Sequence, residues 1–591
     1  MNEGSCAFHD AESGEWAVFR DPIRIVEARS IDEILPALRL VERSVEEEGL
    51  AAAGYLSYEA STAFDPGLRT RGPSRFPLLR FGIYPRVEVL DRPPAAGREA
   101  FAAGPWVPEV ERSEYDRAIA RVKDRLERGD TYQVNYTMRL RAPFRGDDYS
   151  FFLALAASQG EAYAAYIDAG SFAVCSASPE LFFRLEGERI LARPMKGTAP
   201  RGRVFAEDEE RAARLRGSEK ERAENVMIVD MVRNDLGKIA VPGSVQTTRL
   251  FDAEKYPTVW QMTSTVEAET RASVAEILSA LFPSASVTGA PKRSTMRIIA
   301  EIERSPREVY TGSIGFLRPG RRALFNVAIR TALVDRTRNE AEYGAGGGIV
   351  WDSTATAEHE ECLAKARILF EESPSFSLLE TLLRTEEGWF LLDRHMERMR
   401  ESAAYFGFPF DEARIRRELE RFPFDPGAGP IRARLLLGAG GETAIERGPL
   451  SRDSSPALLG LAQEPVDPEN RFLYHKTTHR AIYDRARASC PACDEVLLWN
   501  TRGEATESCA ANLVAEREGR LVTPPVASGL LPGTFRADLL ACGTVVEERV
   551  LLEELPRATR LWLVNSVRKW REARLSENAL RRVRAGVPVS G

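Results

Sequence analysis

Histidine and cysteine are the scarce residues of this chain, five and seven among 591. The cysteines (Cys6, Cys175, Cys362, Cys490, Cys493, Cys509 and Cys542) are odd in number and scattered, so they frame no disulfide scaffold. Cys490-Pro-Ala-Cys493 is a lone CxxC with no second pair and few histidines near it, which argues against zinc. No run approaches the ~18 apolar residues that a membrane span requires. The first 30 residues carry Asp10, Glu12 and Glu15 and no apolar segment, so no signal peptide is expected and a reducing cytoplasm is the default. A basic surplus is missing too. The net charge is −7 and the arginines are interspersed with Glu and Asp, which excludes a global nucleic-acid footprint. Thr288-Gly-Ala-Pro-Lys292-Arg-Ser294 lacks the leading glycine of a phosphate loop.

What is present is a globular composition, 43% hydrophobic and 29% charged. The length suits three or four compact units, or two large ones. Apolar periodicity predicts helices over 31–49, 113–129, 207–235, 274–282, 294–302, 358–370 and 393–405. Strands are expected over 52–58, 78–89, 131–140, 162–167, 172–176, 189–192, 312–317, 323–331, 341–344 and 376–384. Arg193-Pro-Met-Lys-Gly-Thr198 reads as a turn. The pattern restarts at Glu371–Ser375, which places a boundary near residue 373. The expected division is 1–110 (strand-rich), 111–372 (catalytic) and 373–591 (a second unit with its own core).

Two helices carry the same carboxylate spacing. Glu221 and Glu224 are i,i+3, and so are Glu358 and Glu361, so each pair projects from one helix face. If the helices converge, four carboxylates repel unless a cation sits among them, and a hard divalent ion such as Mg²⁺ suits that donor set. Gly346-Gly347-Gly348 and Gly197-Thr198 could bring backbone N–H groups close to an anion. Arg330, at the end of an apolar strand, is either a structural ion pair or a carboxylate clamp. Residue chemistry alone stops at an anionic small molecule plus a metal.

The segments Asp130–Asn135, Ser178-Pro-Glu-Leu-Phe182, Pro194–Thr198, Lys220–Glu224 with Val229–Asp235, Thr288–Lys292, Tyr310–Gly315, Val327–Thr331 and Gly348–Ser353 with Glu358 and Glu361 resemble, in order over about 50–370, the chorismate-utilising enzymes. These are anthranilate synthase component I, aminodeoxychorismate synthase component I and the isochorismate and salicylate synthases. The resemblance implies Mg²⁺ at Glu224 and Glu361 with Glu358 and Glu221 nearby. It also implies chorismate contacts from Gly197, Thr198, Tyr310, Arg330 and Gly346, Gly347 and Gly348. Two positions discriminate among the reactions. Gln133 stands where the isochorismate branch carries a water-activating lysine. Lys196 stands where anthranilate synthases carry alanine, which matches the aminodeoxychorismate pattern. A partly desolvated lysine with a lowered pKa can add to C2 of chorismate as the C4 hydroxyl leaves, after which ammonia attacks C4. None of the seven cysteines lies in the Gly-x-Cys-x-Gly elbow of a class I glutaminase, so the ammonia source is expected to be a separate glutamine amidotransferase subunit, or free ammonia.

Tyr474-His-Lys476, Gly503–Glu507 with Asn512, Ser528–Arg536, His395-Met-Glu-Arg398, Phe376–Glu380 and Asn565-Ser566 resemble the fold-type IV pyridoxal-phosphate enzymes over most of 376–575. These include branched-chain and D-amino acid aminotransferases and aminodeoxychorismate lyase. The resemblance implies a Schiff base at Lys476, Glu507 on the pyridine nitrogen, and phosphate binding by Arg398 with Gly533 and Thr534. Many members carry a hydroxyl where this chain has Phe535, so Thr534 or Ser566 would have to replace that contact. Together the two resemblances imply an α+β chain in two parts. One is a chorismate-utilising fold of large antiparallel sheets packed with helices, and the other a fold-type IV unit of two subdomains. They imply p-aminobenzoate synthesis from chorismate in two steps, with a homodimer through the second unit as a family expectation and no nucleic acid or membrane partner. The rival reading is an anthranilate synthase component I fused to an aminotransferase-like or non-catalytic module.

Overall fold

The computed structural model describes residues 3–72, 74–97, 100–160, 162–370, 374–450 and 455–586. The chain divides into one unit of residues 1–201 and 212–373 and a second of 202–211 and 374–591. The boundary expected near 373 falls on residues 371–373, outside the described residues. Among the described residues no helix is long and apolar enough to cross a membrane.

The first unit is built on two large, almost wholly antiparallel sheets of eleven and ten strands. Their inner faces meet in a core that includes Phe8, Phe19, Tyr55, Ile314 and Phe316. Helices Ile31–Glu46, Glu219–Gly237 and Val274–Leu281 cover the outer face of the ten-stranded sheet through Ile34, Val41, Ile228, Leu236 and Ile277. Helices Arg112–Glu127, Asp148–Gln159, Lys292–Ile302 and Ala355–Ala366 cover the other sheet through Tyr115, Phe152, Ile299 and Cys362. The strand-rich first hundred residues contribute to both sheets, which explains their short apolar runs.

Several expectations need correction. Residues 195–200 are a strand, not a turn: they pair with Val259–Glu269, and the register slips between Met195 and Thr198, where Gly197 takes φ +100°. The helix expected over 207–235 is two helices, Phe205–Gly217 and Glu219–Gly237, because the Ser218 hydroxyl caps the second by accepting from the Glu221 N–H at 3.3 Å. The strand expected over 323–331 is also two, Arg322–Val327 in the ten-stranded sheet and Thr331–Asp335 in the other. Arg330 lies on that crossing in the left-handed region at φ +52°, which a non-glycine residue adopts at a cost. The strand expected over 341–344 runs on through the glycine run. That run lies in the strand Glu340–Ile349, with Gly346, Gly347 and Gly348 opposite Thr137, Tyr136 and Asn135.

The second unit has a four-stranded antiparallel sheet and an eight-stranded mixed one. The small sheet packs under helices Leu392–Phe406 and Glu412–Glu420 around Leu382, Met396, Met399 and Leu435. The larger sheet buries Leu459, Leu497, Trp499, Leu513 and Leu563. Residues 202–211 group with this unit, where Tyr405 donates to the Gly202 carbonyl at 2.8 Å.

Candidate active sites

In the first unit, Lys196, every carboxylate expected at the metal and every residue expected at chorismate lines one cavity of about 220 Å³. The strand Met195–Pro200 brings Lys196, Gly197 and Thr198 to it from the ten-stranded sheet. The strand Glu340–Ile349 brings the three glycines from the other. The lysine's backbone is braced on both sides: Asn225 donates to the Lys196 carbonyl at 3.3 Å and Gln261 to the Gly197 carbonyl at 2.8 Å. The Lys196 side chain is 16% exposed, and its Nζ lies 3.5 Å from Glu224 Oε2.

The two carboxylate helices do converge. Burial and then Glu224 push Glu221 up from the usual carboxylate range. Burial raises Glu358, and Glu361 adds to the shift. Burial also opposes the charge on Glu361, but Lys365, ion-paired at 2.6 Å, holds that carboxyl below its ordinary value. Lys365 Nζ also donates to the Gly346 carbonyl at 2.8 Å. Four carboxylates around one cavity fit a hard divalent cation in kind. As they stand, two of them hold lysines, and among the described residues no three His, Cys, Asp or Glu side chains gather as a metal cage.

Two residues gain a place that sequence reasoning did not give them. Glu180, quoted only within a motif, lines the cavity while 3% exposed. Burial pushes its carboxyl up to about 7, against hydrogen bonds from Ser286 and the Met195 backbone. Gln133, read as the mark of a reaction class, is fully buried, and among the described residues neither polar atom of its amide has a partner. It stands beside Gly348: a Cβ built there would lie 2.5 Å from Lys196 Nζ and 3.1 Å from Gln133 Nε2. Lys365 was missed too, although its i+4 spacing from Glu361 could have found it, whereas no local signal pointed to Asn225, Gln261 or Ser286.

In the second unit, Lys476, Glu507, Arg398, Gly533 and Thr534 line one cavity of about 600 Å³. Burial, then Arg398, holds the Lys476 amine down to about 8. Glu507 accepts from Tyr483 Oη at 2.9 Å, the Leu531 N–H at 3.1 Å and Asn512 Nδ2 at 3.2 Å. Even so, burial pushes it up to about 7. Arg398 grips Glu380 through two nitrogens at 2.8 and 2.6 Å. Burial works against the charge on Glu380, yet Arg398 and His395 hold it down to about 2. Thr534 Oγ1 lies 3.3 Å from His395 Nε2, at the start of helix Thr534–Ala541. Phe535 points into a core with Phe390 and Trp570, while Thr534 and Ser566 face the cavity. Both residues named as replacements for the hydroxyl missing at 535 thus line that cavity. A buried amine, an acid held by three donors and a helix N-terminus beside an arginine fit pyridoxal phosphate.

Residues 4–371 match the family described as chorismate binding enzyme, and residues 377–575 match amino-transferase class IV. Aminodeoxychorismate synthase component 1 of Salmonella typhimurium is 40% identical over 267 residues, covering 45% of this chain and 58% of that protein. An anthranilate synthase component 1 of Haloarcula marismortui is 33% identical over 389 residues, covering 58% of this chain and 79% of that one. Among solved structures, anthranilate synthase component I from Streptococcus pneumoniae superposes with a TM-score of 0.52 at 23% identity, over 60% of this chain and 92% of that one, a likeness of fold. The chain thus spans little more than half the length of the first of these relatives.

Proposed function

The chain belongs to the chorismate binding enzymes over residues 4–371, with an amino-transferase class IV segment behind them, and from that premise we propose that it makes p-aminobenzoate from chorismate in two steps. The observation that carries the reading is Lys196, with its amine inside the chorismate-type cavity beside Glu224 and against Gly348. Relatives named for both amination reactions match this chain, so the reaction is argued from that residue.

In the first step the Lys196 amine adds to C2 of chorismate as the C4 hydroxyl departs. Glu180, buried and protonated below about pH 7, is the acid positioned to make that hydroxyl leave as water. Ammonia from a glutamine amidotransferase partner, or from solution, then forms the bond at C4. The C2–N bond breaks and the lysine is returned, giving 4-amino-4-deoxychorismate and one water. Arg330 and the Gly197-Thr198 and Gly346–Gly348 backbones bind the substrate's carboxylates, and Tyr310 closes the cavity. Glu224 and Glu361, with Glu221 and Glu358, would hold Mg²⁺, which supplies positive charge for a substrate carboxylate.

In the second step pyridoxal phosphate, when bound, supplies an electron sink for the substrate's amine. Glu507 holds a proton at the cofactor's ring nitrogen, and Arg398 with the Gly533-Thr534 backbone holds its phosphate. Lys476 would take the proton from ring C4 and return it to the methylene carbon of the enol-pyruvyl group as the C3–O bond breaks, so that pyruvate leaves and an aromatic amine remains. Incubating the purified chain with chorismate, ammonium and Mg²⁺ tests the first step. Aminodeoxychorismate is the expected product, lost in large part in Lys196→Ala. Anthranilate as the main product would overturn the reading in favour of the rival fusion.

A further inference from the structure

The second unit's cavity holds more positive charge than the proposed chemistry uses. Arg398 is engaged with Glu380, Arg434 with Glu446 at 3.2 Å and Arg487 with Glu495 at 3.3 Å. Lys476 is taken by the cofactor. Arg480 donates to the Cys509 carbonyl at 2.6 Å and lies over the Tyr483 ring. Two further arginines line the same cavity, Arg432 and Arg568, and among the described residues neither side chain makes a hydrogen bond or an ion pair.

The fold holds both where they are. In the strand Ile431–Leu437 the residues Ile431, Ala433, Leu435 and Leu437 are buried, so Arg432 and Arg434 fall on the opposite face. Thr381, directly across from Arg434, faces the same cavity. Arg568 is presented by the turn after Asn565, whose Oδ1 accepts from the Val567 and Arg568 N–H groups at 3.0 and 2.8 Å. Arg432 is half-buried, and burial followed by the charges of Arg434 and Arg568 lowers its affinity for its own proton. Guanidinium groups crowded together without an acid between them are stabilised by an anion that enters, and a planar carboxylate matches the guanidinium fork.

We propose that Arg432 and Arg568 form a carboxylate-binding subsite that makes the second active site selective for an amine carrying two carboxylates. This rests on the function proposed above, since 4-amino-4-deoxychorismate bears one carboxylate on its ring and another on its enol-ether side chain, whereas an ordinary amino acid with a neutral side chain bears one. The subsite therefore favours the product of the first unit over the substrates of a general aminotransferase. The cofactor's phosphate is an oxyanion too, so the test separates the two occupants.

The cofactor-loaded full chain is titrated with isophthalate, a ring with two carboxylates, and with benzoate, which has one, following the cofactor's absorbance. That signal reports the second cavity alone and needs no turnover, so it stands apart from a pyruvate-release assay, which tests the lyase reading itself. Isophthalate is expected to bind at least about ten-fold more tightly than benzoate. Arg432→Met and Arg568→Met are each expected to erode that ratio, and Arg432→Lys to restore part of it, with cofactor affinity unchanged. A wild-type ratio near one, or a ratio that survives in the double variant, would overturn the proposal. So would loss of cofactor affinity with the ratio intact, which would assign the two arginines to the phosphate.

Discussion

Gly348→Ala is the sharpest perturbation the first cavity offers. Gly348 lies in an ordinary strand conformation opposite Asn135, so alanine suits its backbone. The obstacle is what faces it. The added methyl would sit 2.5 Å from Lys196 Nζ and 3.1 Å from both Cδ and Nε2 of Gln133. Carbon contacts settle near about 3.5–4 Å, so the ammonium must retreat by roughly 1 Å. It is the far end of a flexible side chain, and removing a glycine from a strand returns about 0.5–1 kcal/mol, so the fold should be nearly unaffected. Catalysis should not be, because a misplacement of about 1 Å at a reacting group costs on the order of 100-fold, about 2.7 kcal/mol in the barrier. The assay is the initial rate of aminodeoxychorismate formation from chorismate and ammonium, with a melting curve beside it. The expected pattern is kcat down about 100-fold, KM little changed and Tm within a few degrees. Gly347→Ala gives the contrast: its methyl would meet Glu358 Oε2 at 3.1 Å and not Lys196, so its loss should show as a raised Mg²⁺ requirement. A folded Gly348→Ala chain with kcat within about three-fold of wild type would remove the requirement for a placed Lys196 amine.

Two further outcomes follow from the buried acids and amines. If Glu180 donates its proton to the departing hydroxyl, kcat/KM for chorismate should fall as pH rises through about 7, where the carboxyl loses that proton. Glu180→Gln should be much slower and lack that limb, and an unchanged profile would exclude Glu180 as the donor. The Lys476 amine, held down to about 8, should be mostly neutral above that pH. Reconstitution of the cofactor-free chain with pyridoxal phosphate, followed near about 420 nm, should therefore speed up through about pH 8 and level off, whereas a rise continuing toward pH 10 would place Lys476 in an exposed setting.

What could be read from the chain and what could not divide along a physical line. Features set within one element were legible: the i,i+3 carboxylate pairs and the amphipathic helices follow from the helical repeat. One local signal was present but passed over. Ser218-Glu-Lys-Glu221 is a helix-start pattern, and it cuts the long helix so that Glu221 and Glu224 stand in the first two turns of a new one. Lys196 was misplaced on a turn because Pro194 and Gly197 frame it, although a glycine at φ +100° also serves as the irregularity inside a strand. The remainder depends on pairings far apart in sequence. Nothing near residue 330 says that the chain leaves one sheet for the other there. Nothing near Glu180 says that Ser286 and Met195 will enclose it.

Gln133 shows the same limit at a single side chain. Its identity pointed away from water activation, but only the fold leaves its amide, among the described residues, without partners between the glycine strand and Lys196. An unpaired buried amide costs about 1–3 kcal/mol, more than a chain gains by leaving it idle. Gln133 does not line the cavity; fully buried beside Gly348, it can act on chemistry there only through the placement of the Lys196 amine.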